Sequence, residues 1–315
     1  MRFIIAFCFL FFSASCFATV DRKEAVEVGG IKQWINIKGI SDQHPILLFL
    51  HGGPGNSAMS YSYKFTNELQ KHFLVVQWDQ RETGKTKELN PSTKPLSLAL
   101  MEADVVELIN YLRKHFSKNK IYLMGHSWGG FLALRMAALH PELLEACFAL
   151  SPMVNQLESE RLSLALMMDN AKMQRNQKAV DELSRVRVPF ENGEQIYFHR
   201  NWLAYFSGSK ALSKPYVEAW AAKWLALFNE ASMMNFLVEA PEIRCPIYFF
   251  VGRKDYQTHF SIAEQYFLIV KAEKKELFWF NNSGHNLNLT EPKKLQGIVI
   301  SLKRTDGRGL HRKTN

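Results

Sequence analysis

The sequence predicts an α/β fold: a mostly parallel sheet flanked by helices, with a helical cap inserted after a central strand. Three observations carry this. Short apolar runs alternate with segments of helical period along most of the chain, as strands joined by crossover helices do. A Gly-x-Ser-x-Gly sequence, Gly125-His126-Ser127-Trp128-Gly129, sits where one such run meets one such helix. Between Pro152 and Pro241 the alternation gives way to an almost wholly helical pattern rich in Met and Trp.

In chain order, Arg2 precedes the apolar run Phe3 to Phe12, and small residues lead to Cys16-Phe17-Ala18. This is the pattern of a secretory signal peptide over residues 1–18, cut after Ala18. The run is too short to span a bilayer, so export without a stable membrane anchor is expected. Ile31, Trp34 and the alternating Ile35/Ile37 suggest a strand pair around Lys32–Lys38. Pro45–Leu50 is continuously apolar, the pattern of a parallel strand covered on both faces. A helical stretch near Tyr61–Lys71 precedes a strand at Phe73–Trp78. Leu98, Met101, Val105, Leu108, Ile109, Leu112 and Phe116 mark a helix over Ser97–Phe116.

The strand Ile121–Met124 enters the Gly-x-Ser-x-Gly turn, and Phe131–Leu139 forms a helix that stops at His140-Pro141. Cys147–Leu150, Ile247–Val251 and Leu277–Phe280 complete the sheet, with helices at Phe260–Leu268 and Pro292–Lys303. The expected organisation is therefore a catalytic body over residues 19–151 and 242–303, a cap over 152–241, and a disordered basic tail over 304–315.

A chain of 315 residues, 47% hydrophobic, can bury a large core. Its net charge of +9 falls to +8 once Arg2 is removed. Of that, +4 sits in Lys303–Asn315, where five basic residues face one Asp. The body is then only mildly basic, and nucleic acid is not an expected partner. Four cysteines are present, but Cys8 and Cys16 lie in the signal segment. Cys147 and Cys245 are expected to be free and buried, since the stagger of their strands is roughly 10 Å, at about 3.3 Å per residue, beyond disulfide reach. No metal-ligand spacing is present, and neither a metal nor a cofactor is implied.

Strand, sharp turn and helix around Gly-x-Ser-x-Gly form a nucleophile elbow, with Ser127 exposed at the mouth of the sheet. His51-Gly52-Gly53-Pro54-Gly55 follows the Pro45–Leu50 strand directly. An N–H of that loop, from Gly53 or else Gly52, would join the N–H of Trp128 as a two-donor oxyanion hole. His51 and His126 read as structural. The acid should follow the nucleophile, and Asp255 stands at the end of a strand, whereas Asp104 precedes Ser127 and Asp169 and Asp181 fall in the helical insertion. The base should come last. Of the three histidines after Asp255, His259 begins a helix and His311 lies in the tail, which leaves His285.

These residues resemble the α/β-hydrolase superfamily, and within it the proline iminopeptidase branch of serine peptidases. The resemblance rests on His51–Gly55, Asp79-Gln80-Arg81, Gly125–Gly130 with Trp128, Asp255, and Gly284-His285, spanning roughly residues 45–290. It implies an α/β-hydrolase fold, removal of an N-terminal residue from a peptide, no cofactor, and an acidic cap residue holding the substrate's free amine. Glu218 and Glu230 are the candidate substrate-binding acids, with Glu191 and Glu194 on a loop of the same insertion. Two departures stand on the substrate side. Glu82 replaces a glycine that usually follows Asp-Gln-Arg, which leaves open both the loop's conformation and a carboxylate near the site. Trp224 is followed by Leu225 where a Trp-Glu pair is usual.

The expected activity is that of an exported serine hydrolase, an aminopeptidase acting on a small peptide or amino-acid amide or ester. The alternatives are a carboxylic ester hydrolase of the esterase or lipase type and a catalytically silent binding protein on the same scaffold.

Overall fold

A computed structural model describes residues 19–90 and 94–306. The signal-peptide expectation, on residues 1–18, and most of the basic tail lie outside the described residues. Ten strands are described: β1 (Val20–Val28), β2 (Ile31–Gly39), β3 (Ile46–Leu50), β4 (Leu74–Asp79), β5 (Ile121–His126), β6 (Leu144–Leu150), β7 (Glu242–Ile243), β8 (Ile247–Gly252), β9 (Lys271–Ala272) and β10 (Lys275–Phe280). Eight of them form one sheet in the order β1-β2-β4-β3-β5-β6-β8-β10. The β1–β2 hairpin and the β2–β4 pair are antiparallel, and the remaining pairs are parallel. The short β7 and β9 pair separately.

The apolar runs become the central strands because both faces of the sheet are covered. On β3, Ile46, Leu48 and Leu50 pack into one core with Met101, Val105 and Leu108 of the helix Leu98–His115 and with Phe131 and Leu134 of the elbow helix Trp128–Leu139. Leu47 and Phe49 point the other way, into a second core with Phe65, Leu295 and Val299. Ser97 caps the helix Leu98–His115 by accepting from the Leu100 N–H.

The helical stretch expected near Tyr61–Lys71 is broken into Tyr63–Thr66 and a 3₁₀ turn, Leu69–Lys71. The Glu68 N–H donates to the Gln296 side chain at 2.8 Å instead of continuing the ladder. A short helix at Gly84–Leu89 and the β7–β9 pair have no counterpart in the sequence reading, and the last helix, Pro292–Asp306, runs three residues past the expected Lys303.

Between β6 and β7 the chain is helical, with four main helices: Gln156–Met173, Gln177–Ser184, Gly193–Phe206 and Lys214–Ser232. These are the first to fourth cap helices below. Cys147 and Cys245 are both free and buried. Their stagger is two residues rather than the expected three, because Cys147 pairs with Ile247 and Leu150 with Phe250.

Candidate active site

Ser127 joins β5 to the elbow helix with φ at 58°, a left-handed conformation that a non-glycine residue adopts at a cost on the order of 1–3 kcal/mol. Its N–H donates to Leu150 O at 2.9 Å, which ties the turn to β6. The flanking glycines permit this. A Cβ on Gly125 would lie 1.9 Å from Gly129 O, and one on Gly129 would lie 2.0 Å from Leu50 O. The elbow therefore sits directly on the end of β3, and the loop leaving β3 is brought beside it.

In that loop Gly53 has φ at 121°, and a Cβ there would lie 2.6 Å from Gly55 N. His51 braces it. Its Nε2 accepts from the Gln80 N–H at 3.2 Å, so its Nδ1–H donates to Gly52 O at 2.8 Å. Gln80 in turn donates to His51 O at 3.0 Å and accepts from the Trp128 indole at 3.0 Å. The expected structural role of His51 is thus visible in its partners. Arg81 forms a fully buried two-pronged ion pair with Asp104, at 2.8 Å on both oxygens. The backbone N–H groups of Gly53 and Trp128 have no acceptor among the described residues. Gly53 lines the same cavity as Ser127, and Gly52 does not.

Asp255 follows β8, and His285 follows β10, the strand paired beside it. His285 Nδ1 lies 3.0 Å from Asp255 Oδ2 and 3.2 Å from Oδ1. A carboxylate only accepts, so Nδ1 carries the proton and the lone pair of Nε2 is left for a second partner. Asp255 also accepts from the backbone N–H groups of Gln257 and Thr258, at 3.0 and 3.1 Å. Burial alone would raise its carboxyl, but attraction to His285 and the hydrogen bonds from His285 and the Thr258 N–H outweigh burial and hold it below the usual range. His126 donates through Nε2 to the His285 carbonyl at 2.8 Å, and its ring centroid lies 4.9 Å from that of His285. Burial and the neighbouring His285 push His126 down to about 4, so it is a neutral brace.

The cavity at Ser127 has a volume of ≈ 130 Å³. Met153, Ile196, Val217 and Phe228 supply its apolar walls, and Asn56, Gln156, Tyr216, Gln257, Thr258 and Arg200 its polar ones. The two candidate amine-binding acids are elsewhere, which corrects the expectation. Glu230 accepts from the Leu98 N–H at 3.0 Å, at the N-terminus of the helix Leu98–His115. Glu218 lies 3.8 Å from Lys214 in a surface depression shared with Glu194. The fourth cap helix turns Tyr216, Val217, Trp220 and Phe228 to the cavity, and positions 218 and 230 fall off that stripe at 3.6 residues per turn. Glu191 accepts from Gln195, and Glu194 pairs with Arg185.

The acid beside the cavity is one the sequence reading passed over. Glu160, on the first cap helix, is 1% exposed and receives the guanidinium fork of Arg200 from the third. It also accepts from Gln156 Nε2 at 2.6 Å. Burial raises its carboxyl, and Arg200 with His199 overcomes this, leaving it lowered. The partners lie forty residues apart in the chain, so no local spacing marks the pair. Glu82 keeps the left-handed conformation expected of the glycine it replaces, with φ at 61°, and its carboxylate pairs with Lys223 of the fourth cap helix. It does not line the cavity. Trp224, whose usual Glu partner is missing, packs against Gly55.

The profile of the "alpha/beta hydrolase fold" family matches residues 45–292, and the chain belongs to that family. A Bacillus subtilis protein named "Probable aminopeptidase YbaC" is 28% identical over 290 residues, 85% of this chain and 91% of that protein. A proline iminopeptidase of Heyndrickxia coagulans is 22% identical over 80% of this chain and 88% of its own length. Among solved structures, a proline iminopeptidase-related protein of Thermus thermophilus superposes with a TM-score of 0.59 at 21% identity, covering 90% of this chain and 96% of that one. The protein is thus an α/β hydrolase similar to proteins named aminopeptidase and proline iminopeptidase.

Proposed function

We propose that the protein is a serine hydrolase of the aminopeptidase type, which releases a small N-terminal residue through an acyl-enzyme on Ser127. The observation that carries the reading is the Asp255–His285 pair at the ends of two adjacent strands, following an elbow that holds Ser127 in a left-handed turn. In this reading Ser127 Oγ attacks the carbonyl carbon while His285 Nε2 takes its proton. Asp255 fixes the imidazole tautomer and stabilises the cation that forms. The N–H groups of Gly53 and Trp128 receive the oxyanion. His285 then protonates the leaving amine, and water releases the acyl group by the same path in reverse.

Similarity along nearly the whole length of the Bacillus subtilis relative supports the amine specificity. A second reading, a carboxylic ester hydrolase, is favoured by one observation: no Asp or Glu lines the Ser127 cavity among the described residues. An ammonium buried without a carboxylate is costly. Rates on an alanyl or prolyl anilide with a free amine, on its N-acetylated form and on a short acyl ester separate the two. An aminopeptidase prefers the free amine by more than about tenfold, equivalent to about 1.4 kcal/mol. Equal rates, or preference for the acetylated form or the ester, replace it with the esterase. Export is part of the same proposal, and N-terminal sequencing of the mature protein, beginning at Thr19, tests it.

A further inference from the structure

A second cavity, of ≈ 490 Å³, lies on the His285 side of the site. Arg200 and Gln257 line both it and the Ser127 cavity, so the two are adjacent chambers. The chambers differ in charge. The larger one is lined by His285, Arg200, Lys210 and Lys254, and by no Asp or Glu among the described residues. Arg200 is neutralised by Glu160. Lys210 and Lys254 are exposed, and neither ammonium has an ion-pair or hydrogen-bond partner among the described residues. Two uncompensated cations therefore share this cavity with His285, while the Ser127 chamber is net neutral.

His285, having taken the proton of Ser127, must deliver it to the departing group, so that group leaves on the His285 side. We infer that the cavity beside His285 is a leaving-group site for an anion, and that the preferred substrates are short peptides whose departing part carries a free C-terminal carboxylate. The inference rests on the hydrolase reading above. Ser127 Oγ bonds to the carbonyl carbon, and the C–N bond breaks. The serine proton passes through His285 to the departing nitrogen, which leaves with its carboxylate between Lys210 and Lys254. A leaving part with a blocked C-terminus keeps the chemistry and forfeits the attraction.

The experiment compares kcat/KM for an alanyl dipeptide with a free C-terminus against its C-terminal amide, both with free amines. Two exposed ion pairs make the acid the better substrate by about three- to tenfold at low salt. The ratio shrinks between about 0.01 and 1 M salt, as the Debye length falls from about 30 to 3 Å. In K210M/K254M the ratio approaches one. An amide cleaved as well as the acid by the unaltered protein, or a preference that survives in K210M/K254M, overturns the inference. Anilide turnover without a carboxylate preference defeats the inference alone, whereas no anilide turnover defeats the aminopeptidase reading. In that case 4-carboxyphenyl and 4-carbamoylphenyl acetates, each normalised to its hydroxide-catalysed rate, pose the same question. Preference for the carboxylate ester sustains the anionic leaving-group site, and equal normalised rates overturn it.

Discussion

The indole N–H of Trp220, on the fourth cap helix, donates to the carbonyl of Pro54 at 2.7 Å, one residue from Gly53. One turn earlier, Tyr216 donates to the Asn56 side chain at 2.9 Å. The cap helix is thus hydrogen-bonded to the loop whose Gly53 lines the Ser127 cavity. Trp220→Phe keeps most of the ring and removes the donor. At about 0.5–1.5 kcal/mol for a hydrogen bond, kcat falls roughly three- to tenfold. KM should change less, because in the proposed mechanism the loop acts on the oxyanion rather than on ground-state binding. Steady-state kinetics of Trp220→Phe read this, and an unaltered kcat would show that the helix does not brace the loop.

Ser127→Ala removes the oxygen that attacks in the proposed mechanism, from a side chain that supports neither core cluster. Turnover is lost while the melting temperature holds or rises, since alanine and serine meet the same left-handed backbone cost. Asp255→Asn costs kcat on the order of 10⁴, as the neutral amide favours the wrong imidazole tautomer. Near-normal turnover in Asp255→Asn would assign the orienting role to another carboxylate.

The sheet was legible because its strands are buried on both faces and so read as unbroken apolar runs, Ile46–Leu50 and Ile247–Gly252 above all. Ser127, Asp255 and His285 could be picked out as candidates because each follows a strand, and strand ends converge on one edge of a parallel sheet. The cap was not legible. Its side chains are placed by helix rotation and by partners far along the chain, so Glu218 and Glu230 could not be told from Glu160 by spacing. The two-residue stagger of Cys147 and Cys245 escaped for a related reason: strand register is set by neighbours, not by where an apolar run stops.

Stability should fall on acidification well before ordinary carboxylates protonate. His126 and His199 are both held to about 4 by burial, against an ordinary 6.5. His126 faces His285 and Asp255, and His199 faces Glu160 and Arg200. A depressed histidine stabilises the fold fully above its unfolded value and loses that contribution as pH falls toward its folded value. The window is therefore about pH 6.5 down to 4, with each histidine contributing on the order of 3 kcal/mol across it. Asp255 and Glu160, also lowered, act with the same sign at more acid pH. A melting temperature that stays level from pH 7 to 4.5 would contradict the buried, neutral state of these rings.

The two body thiols should be inert in the native protein. Burial pushes Cys245 up to about 12 and Cys147 well above its usual value, so almost no thiolate exists at neutral pH. A thiol reagent added to native protein from which residues 1–18 have been removed should titrate close to zero, and after denaturation two. A native count near two would mean that the β6–β8 seam opens readily.

The ion pair between Glu82 and Lys223 joins the loop after β4 to the fourth cap helix. Glu82 pays for it with a left-handed φ that glycine would adopt freely. Two substitutions separate the backbone cost from the charge. Glu82→Gly relieves the conformation and removes the carboxylate, whereas Glu82→Gln retains the conformation and removes only the charge. Side-chain exposures of 10% and 32% place the pair between buried and surface cases, so its coupling should be near 1 kcal/mol. A double-mutant cycle of Glu82→Gln with Lys223→Met measures that coupling in urea unfolding. Lys223 lies one turn after Trp220 on the same helix, so loosening it should also reproduce, more weakly, the kcat loss of Trp220→Phe. In Glu82→Gly the relieved backbone offsets part of the lost attraction, and stability should stand above that of Glu82→Gln while the kcat loss is shared. A coupling energy indistinguishable from zero, with kcat unchanged in Glu82→Gln, would show that the cap is seated by its aromatic contacts alone.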